Sequence, residues 1–250
     1  MKNYNLNFIS NENLFDHVKE TVLKYRFQIN LQEFNKNIVD PIKLTFDSKV
    51  YKKDLSVLIE DEIMRQIDKS NTNHIGYFHQ NIFKYLGSGW EVPINGFDIV
   101  NRELKIFVEM KNKHNTMNSS SSQKTYTRMQ NQLLKTTDAT CMLVEIIAKK
   151  SQDAKWGISL DGELISHDKI RRVSIDKFYE LVTGQKEAFK NLCQILPLVI
   201  EDVVGSIKEE MMQNSVFEEL SAISSNILQS LYLLSFSRYE GFNSFEMTTR

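Results

Sequence analysis

The chain has 250 residues, of which 41% are hydrophobic and 25% charged, and its formal net charge at pH 7 is −1. This composition is typical of a globular protein, and the near-zero net charge argues against a protein that coats nucleic acid indiscriminately. No apolar run is long enough to cross a bilayer, and the first residues lack the apolar core of a signal peptide. We therefore expect no membrane partner. Cys141 and Cys193 lie in apolar segments and have no zinc-type spacing, so we expect buried free thiols in a reducing cytoplasm.

Helices are predicted in the first third of the chain. Apolar residues recur at helical spacing over 11–25 and over 53–68. Asn71 or Thr72 is the predicted N-cap of a further helix, which ends before the glycines of 87–89.

Three strands, a helix and a strand are predicted next. The three strands span about 89–93, 97–100 and 104–111, the helix spans 122–136, and the last strand spans 139–148. Two weaker strands follow near 156–160 and 170–175, and then helices over 176–183, 185–204 and 215–237. We therefore predict an α/β fold with one domain over 1–184. A helical C-terminal extension over 185–250 is expected to pack on that domain or on a dimer partner.

The strand predicted over 104–111 carries the polar side chains that indicate chemistry. Side chains alternate along a strand, so Glu109 and Lys111 share one face, and Asp98 lies on the preceding strand. Two acids that bind a divalent metal ion, with a lysine beside them, are what metal-assisted phosphodiester cleavage requires. The alternative is a solvated ion pair on a sheet face, which is common.

Context distinguishes Glu109 from other acids that stand two residues before a lysine. Only Glu109 ends an apolar alternating run and has an acid on an adjacent short strand. A two-residue turn between these strands would place Asp98 about 13 Å along the strand from Glu109, at ~3.3 Å per residue. A loop over 102–105 would instead place the two acids opposite each other. We predict this longer loop, or a kink near Asp98.

Charge is distributed unevenly along the sequence. Seven basic and two acidic residues lie between Arg102 and Lys135, whereas three basic and eight acidic residues follow from Ile195 onward. A positive region around the candidate site is what phosphate binding requires. The alternative is an ordinary solvated helix face.

The order of elements around Asp98, Glu109 and Lys111 resembles the PD-(D/E)XK nuclease superfamily. Longer stretches are similar to type II restriction endonucleases of the family that cuts GGNCC. These stretches are 44–51, 70–80, 89–93, 107–118 and 169–184. The resemblance covers about 7–205 and implies a restriction-endonuclease-like core. In that core a helix, three strands, a helix and a strand form a mixed sheet flanked by helices.

The resemblance also implies roles for the residues of the motif. Asp98 and Glu109 match the two metal-binding acids, and the backbone carbonyl of Met110 would also contact the metal. Lys111 matches the lysine that orients or activates the attacking water. Phe97 stands where the superfamily often has a proline, which weakens the match at Asp98. The implied cofactor is Mg²⁺, with Mn²⁺ as a substitute.

Many relatives add an acid or a glutamine from the preceding helices. Glu62 is the first candidate for this additional catalytic group and Gln80 the second. A surface or structural role is the alternative for both residues.

Recognition of the DNA sequence is expected to use Arg or Lys donors at guanine and acids or amides at cytosine. The first candidates follow the catalytic strand or lie on the next helix: Asn112, Lys113, His114, Asn115, Lys124 and Arg128. The second group is a candidate phosphate clamp: Lys169, Arg171 and Arg172. The alternatives are a polar loop with a helix cap for the first group and a surface ion-pair face for the second.

The implied substrate is double-stranded DNA, and a palindromic site matches a twofold homodimer. An apolar stripe within 216–234 predicts a dimer seam or core packing against the sheet. The implied reaction is Mg²⁺-dependent hydrolysis at GGNCC or a close variant, leaving 5′-phosphate and 3′-hydroxyl ends. A cognate DNA methyltransferase would belong to the same restriction-modification system. The alternatives are a structure-specific PD-(D/E)XK nuclease of DNA repair and a non-catalytic DNA-binding protein.

Overall fold

The structure is a computed structural model that describes residues 3–160, 162–207, 213–236, 238–239 and 245–247. Contacts divide these residues into two compact units. The first comprises the described residues of Met1–Leu23 and His74–Lys208, and the second those of Lys24–Asn73 and Glu209–Arg250. The domain boundary expected after residue 184 stays a prediction.

The described residues contain nine α-helices and eight β-strands. The helices are α1 (Asn11–Val22), α2 (Leu31–Asn35), α3 (Pro41–Tyr51), α4 (Leu55–Asn81), α5 (Ser119–Lys135), α6 (Ile175–Thr183), α7 (Ala188–Val204), α8 (Val216–Ile223) and α9 (Ile227–Phe236). The strands are β1 (Gln28–Ile29), β2 (Trp90–Glu91), β3 (Ile99–Asn101), β4 (Ile106–Lys113), β5 (Thr140–Ile147), β6 (Asp153–Leu160), β7 (Glu163–Ser174) and β8 (Gln213–Asn214).

A mixed sheet lies at the centre of the first unit. Its six strands, among the described residues, have the order β2-β3-β4-β5-β7-β6. Strand β5 is parallel to both β4 and β7, whereas the pairs β2-β3, β3-β4 and β6-β7 are antiparallel. The predicted α/β class, with a mixed sheet and flanking helices, is confirmed.

Alternation along the strands gives the sheet two buried apolar faces. Val108, Met110 and Val144 belong to the core that includes side chains of α1, α6 and α7. Leu143 belongs to a second core with side chains of α5. Glu109 is the Cα partner of Leu143, so Glu109 and Lys111 lie on the α5 side of the sheet.

The register between β3 and β4 confirms the longer predicted loop. Ile99 pairs with Val108, and Asn101 pairs with Ile106. The intervening turn therefore spans 102–105, and Lys105 adopts a left-handed φ of 55° within it. The side-chain oxygen of Asn101 accepts a hydrogen bond from the backbone N–H of Leu104 at 3.0 Å, which stabilises the turn.

Helix α4 is continuous where two helices are predicted. The N-cap expected at Asn71 or Thr72 is wrong, because both residues lie inside this 27-residue helix. The Asn71 side chain accepts a hydrogen bond from the backbone N–H of Arg26 at 2.9 Å instead of capping a helix. The tertiary contact thus gives the Asn71 side chain a hydrogen-bond partner inside the helix.

The C-terminal part of the prediction also needs correction. A single helix is expected over 215–237, but α8 ends before Ser224, whose backbone is extended, and α9 begins at Ile227. Residue 237 lies outside the described residues. Ser230 donates a hydrogen bond to the Leu220 carbonyl at 2.8 Å and so links the two helices.

The apolar stripe of α8 and α9 lies in the core of the second unit. Val216, Leu220 and Leu231 are buried there with residues of α2, α3 and α4. Of the two alternatives, a dimer seam and core packing, these buried residues show core packing, and these partners within the unit lie on helices. None of the described helices is both long enough and apolar enough to span a membrane. Both cysteines are free thiols, and Cys141 is buried as expected, but the expected burial of Cys193 is wrong, because this residue lies on an exposed face of α7.

Candidate active site

Two adjacent strands bring Asp98 and Glu109 together at the α5 side of the sheet. Asp98 directly precedes β3, and the observed register aligns it with Glu109 on β4. The Asp98 carboxylate accepts a hydrogen bond from the backbone N–H of Met110 at 2.7 Å. This main-chain contact holds the first acid beside the second, as the sequence predicts for a shared site.

Glu109 is buried and is contacted by two cations. Its side chain is 10% exposed. Lys111 Nζ donates to Glu109 Oε1 at 2.8 Å, and Arg128 Nη2 of α5 donates to Oε2. The carboxylate is therefore compensated on both oxygens, which a buried charge requires.

The surroundings of Asp98 change its acidity. Burial and the neighbouring charge of Glu109 raise the pKa of Asp98 above its usual value. The hydrogen bond from Met110 and the charges of Lys111 and Arg128 act in the opposite direction. A cation between two such carboxylates would relieve their repulsion.

A cavity of about 510 Å³ opens in front of Glu109. It is lined by Glu109, Lys111, Thr116, Met117, Ser121, Lys124, Thr125 and Arg128. Three of these residues are basic and one is acidic, so the lining attracts anions. The hydroxyl residues Thr116, Ser121 and Thr125 were not singled out from the sequence. The spacing of positions 121, 124, 125 and 128 is nevertheless that of one helix face along α5.

The donor set fits a hard divalent cation. Mg²⁺ prefers oxygen ligands and is usually held by one or two carboxylates together with water and substrate phosphates. Among the described residues, no group of three or more His, Cys, Asp or Glu side chains forms a metal site by itself. Asp98 and Glu109 are two neighbouring carboxylates that fit this preference, and the Met110 carbonyl stands next to Glu109 in the chain.

A second buried carboxylate, Glu145 on β5, was missed in the sequence. It is 1% exposed, and its Cα partner on β4 is Lys111. Arg172 donates a hydrogen bond to Glu145 Oε1, and His114 Nδ1 lies 3.0 Å from Oε2. Although burial opposes it, these contacts hold the pKa of Glu145 below its usual value. A lone glutamate in the apolar run of β5 is the signal that could have identified it.

The predicted DNA contacts divide into separate groups. Lys124 and Arg128 line the cavity in front of Glu109. Lys113, Asn115 and Arg172 line a smaller cavity of about 60 Å³, together with Lys111 and Glu145.

The remaining candidates lie near protein partners of their own. The Asn112 side chain lies beside Gly76 of α4. Lys169 Nζ donates to the Thr137 carbonyl at 3.0 Å, and Arg171 Nε donates to Asp153 at 2.8 Å. Arg171 and Arg172 are consecutive on β7, so their side chains project to opposite faces of the sheet.

Glu62 lies on α4 within the second unit. Arg65 donates two hydrogen bonds to its carboxylate, both at 2.6 Å, and Gln66 donates a third at 2.9 Å. Although burial opposes it, these hydrogen bonds hold the pKa of Glu62 below its usual value. Local structural partners thus account for Glu62, and its catalytic role stays a prediction.

Comparison with known proteins identifies the family. The sequence pattern of the family described as Eco47II restriction endonuclease matches residues 6–205. The type II restriction enzyme Sau96I of Staphylococcus aureus is 31% identical over 214 residues, which are 81% of this chain and 82% of that protein. The type II restriction enzyme Eco47II of Escherichia coli is 29% identical over 213 residues, 80% of this chain and 88% of that protein. The chain therefore belongs to the Eco47II restriction endonuclease family and is a type II site-specific deoxyribonuclease.

Proposed function

We propose that this enzyme hydrolyses double-stranded DNA at GGNCC or a close variant, in a Mg²⁺-dependent reaction that leaves 5′-phosphate and 3′-hydroxyl ends. The observation that carries the proposal is the convergence of Asp98, Glu109 and Lys111 beside a cavity with cationic walls. The membership of a restriction endonuclease family supports the reaction class. The sequence GGNCC rests on the resemblance of the longer sequence stretches.

Asp98, Glu109 and the carbonyl of Met110 would hold the metal ion. When bound, Mg²⁺ would polarise the scissile phosphate and neutralise the charge that builds on it, and Mn²⁺ would serve as a substitute. The protein holds the two acids through the β3-β4 register and through the Met110 N–H contact with Asp98. Main-chain pairing would thus keep the two acids next to each other before substrate binds.

Lys111 is the proposed catalytic cation. Its ammonium group lies 2.8 Å from Glu109 and lines the same cavity, so it can orient the attacking water and stabilise the charged transition state. Glu62 remains a proposed additional group, with the local partners described above as its alternative role.

DNA would bind along the cavities at the α5 side of the sheet. Lys124 and Arg128 would contact DNA at the cavity in front of Glu109, while Lys113, Asn115 and Arg172 border the smaller cavity. Asn112 lies near the end of β4 and His114 directly follows the strand, and both are proposed DNA contacts. Lys169 and Arg171 are proposed phosphate contacts on β7.

The proposal extends to the assembly and its genetic context. A restriction-endonuclease-like core would lie within 1–184, and the helical region 185–250 would pack on it or on a partner subunit. A homodimer would apply the same active site to each strand of a palindrome. A cognate DNA methyltransferase would protect the host site without direct contact.

Digestion of phage DNA tests the function. Purified enzyme with Mg²⁺ should produce discrete fragments, and sequencing of the ends should place every cut within or near GGNCC. The same digestion with EDTA should leave the DNA intact but retarded by bound protein. Cuts at branched or flapped structures without a fixed sequence would support a repair nuclease instead. Binding with no cleavage in Mg²⁺ or Mn²⁺ would contradict any nuclease.

A further inference from the structure

Arg128 contacts the same carboxylate that the proposed function assigns to the metal ion. Its Nη2 donates to Glu109 Oε2, and its Nη1 donates to the Gly96 carbonyl at 3.1 Å. Its guanidinium carbon lies 5.0 Å from the centre of the Phe97 ring. The guanidinium is therefore held by a carboxylate, a carbonyl and an aromatic face at once.

These contacts occupy the oxygen atoms that a metal ion would need. Lys111 Nζ donates to Glu109 Oε1 while Arg128 donates to Oε2, so each oxygen already has a charged donor. A divalent cation next to Oε2 would repel the guanidinium and compete for the same lone pairs. Lys111 has a proposed role in catalysis, whereas Arg128 has no such role that requires it to remain on Glu109.

Arg128 has an alternative partner of suitable chemistry. Its side chain is 40% exposed and lines the cavity in front of Glu109, one helical turn from Lys124. A guanidinium binds phosphate in the same two-pronged geometry as carboxylate. A phosphate of duplex DNA in this cavity would therefore compete with Glu109 for Arg128.

We propose that Arg128 is a positioning residue that makes metal binding at Glu109 depend on DNA. Without DNA, its guanidinium occupies Glu109 Oε2; with DNA, a backbone phosphate draws it away and frees that oxygen. This inference rests on the proposed function, because it takes Glu109 as a metal ligand. The coupling is reciprocal, so metal at Glu109 also favours the Arg128–phosphate contact and tightens DNA binding.

Mn²⁺ binding to the DNA-free full-length enzyme tests the inference. Electron paramagnetic resonance measures the free ion directly and needs no catalytic activity. Arg128→Met should bind Mn²⁺ about tenfold more tightly than wild type, since it removes a charged hydrogen bond that competes with the ion. Lys124→Met is the matched control, because it removes one positive charge from the same cavity but leaves the Arg128–Glu109 pair in place. It should change Mn²⁺ affinity by less than about twofold.

Glu109→Gln, made in wild type and in Arg128→Met, separates the possible outcomes. A gain in Arg128→Met that Glu109→Gln abolishes supports the coupling. If Arg128→Met binds no better than the Lys124→Met control, while Glu109→Gln still weakens binding, the coupling is wrong and the proposed metal site stands. Mn²⁺ binding that never depends on Glu109 overturns both. Thermal unfolding checks each variant, and Arg128→Gln replaces Arg128→Met if the latter is unfolded at the assay temperature.

Discussion

The segments Glu103-Leu104-Lys105 and Glu109-Met110-Lys111 share one spacing but differ in their surroundings. Lys105 lies in the exposed turn after β3 and pairs with Asp138, which is also exposed. Lys111 instead pairs with the buried carboxylate of Glu109 at the wall of a cavity. Burial, and not the order of residue types, therefore distinguishes a candidate active site from a surface ion pair at the residue scale.

Lys111→Ala should lower the rate of DNA cleavage by at least about 10²-fold, because it removes a cation from the developing negative charge. Binding of cognate DNA should be kept. The measurement is single-turnover cleavage together with a gel-shift titration in EDTA. Lys105→Ala is the control with the same residue change on the same hairpin, and it should cleave like wild type. Mg²⁺-dependent cutting that survives in purified Lys111→Ala would refute the role of this lysine.

Lys113→Ala should weaken binding to cognate DNA far more than binding to random sequence. Lys113 follows the catalytic residues on β4 and borders the smaller cavity, where a base contact would carry about 1–3 kcal/mol of discrimination. Competition binding with both kinds of duplex at one salt concentration measures the difference. Equal losses for the two duplexes would instead assign Lys113 to phosphate contacts.

The buried His79 on α4 should make the stability of the fold depend on pH. Burial, followed by the nearby His17, lowers its pKa from 6.5 to about 4, so the folded protein favours the neutral ring. Between these two values the unfolded chain binds more protons, and the free energy of unfolding should fall as pH is lowered, by up to about 3 kcal/mol. Urea unfolding at several pH values measures this slope. His79→Gln should remove most of it, and an unchanged slope in that variant would contradict the assignment.

Strand pairing decides the arrangement at the scale of elements. Alternation and loop length predicted the β3-β4 register, which is why Asp98 and Glu109 could be placed together from the sequence. The sequence did not reveal that β7 pairs in parallel with β5, since that contact depends on chain folding over long range. The cluster of Glu145, Arg172 and His114 follows from this pairing and was therefore missed.

The continuous helix α4 shows another limit of local patterns. Cap-forming residues at 70–73 predicted a break, but a tertiary hydrogen bond from Arg26 to Asn71 accommodates one of them inside the helix. The sequence did not predict the break at Ser224. The apolar spacing of 216–234 is nearly regular there, and the hydrogen bond between Ser230 and Leu220 joins two separate helices.

Arg172→Met should destabilise the enzyme by about 3–5 kcal/mol, because it leaves the buried Glu145 carboxylate without its cation. Arg171→Met, one residue earlier on β7, is the matched control. Arg171 pairs with the half-exposed Asp153, so its loss should cost less than about 1 kcal/mol. Chemical denaturation of both variants measures the difference, and equal stability losses would argue against the Glu145 cluster as a buried charge network.

At the scale of the whole molecule, the distribution of charge and the family membership both indicate an enzyme that acts on DNA. The net charge of the chain is −1, while 102–135 carries five more basic than acidic residues. Attraction for phosphate is thus concentrated at the segment that contains the candidate active site, and the rest of the chain opposes unspecific binding.

The enzyme should sediment as a homodimer at micromolar concentration, because a twofold assembly presents one active site to each strand of a palindrome. Its mass should be twice the 29.2 kDa of the chain. Sedimentation equilibrium with and without a duplex carrying GGNCC measures it. A species that remains monomeric under both conditions would contradict the proposed assembly.

The hydrogen bond from Met110 to Asp98 has a consequence for how position 110 can evolve. The donor is a backbone amide, which every residue except proline possesses. The side chain points to the opposite face of the sheet, into the apolar core. Substitution by leucine or isoleucine should therefore preserve the alignment of the two acids, whereas proline would release Asp98 even though no acidic or basic group had been altered.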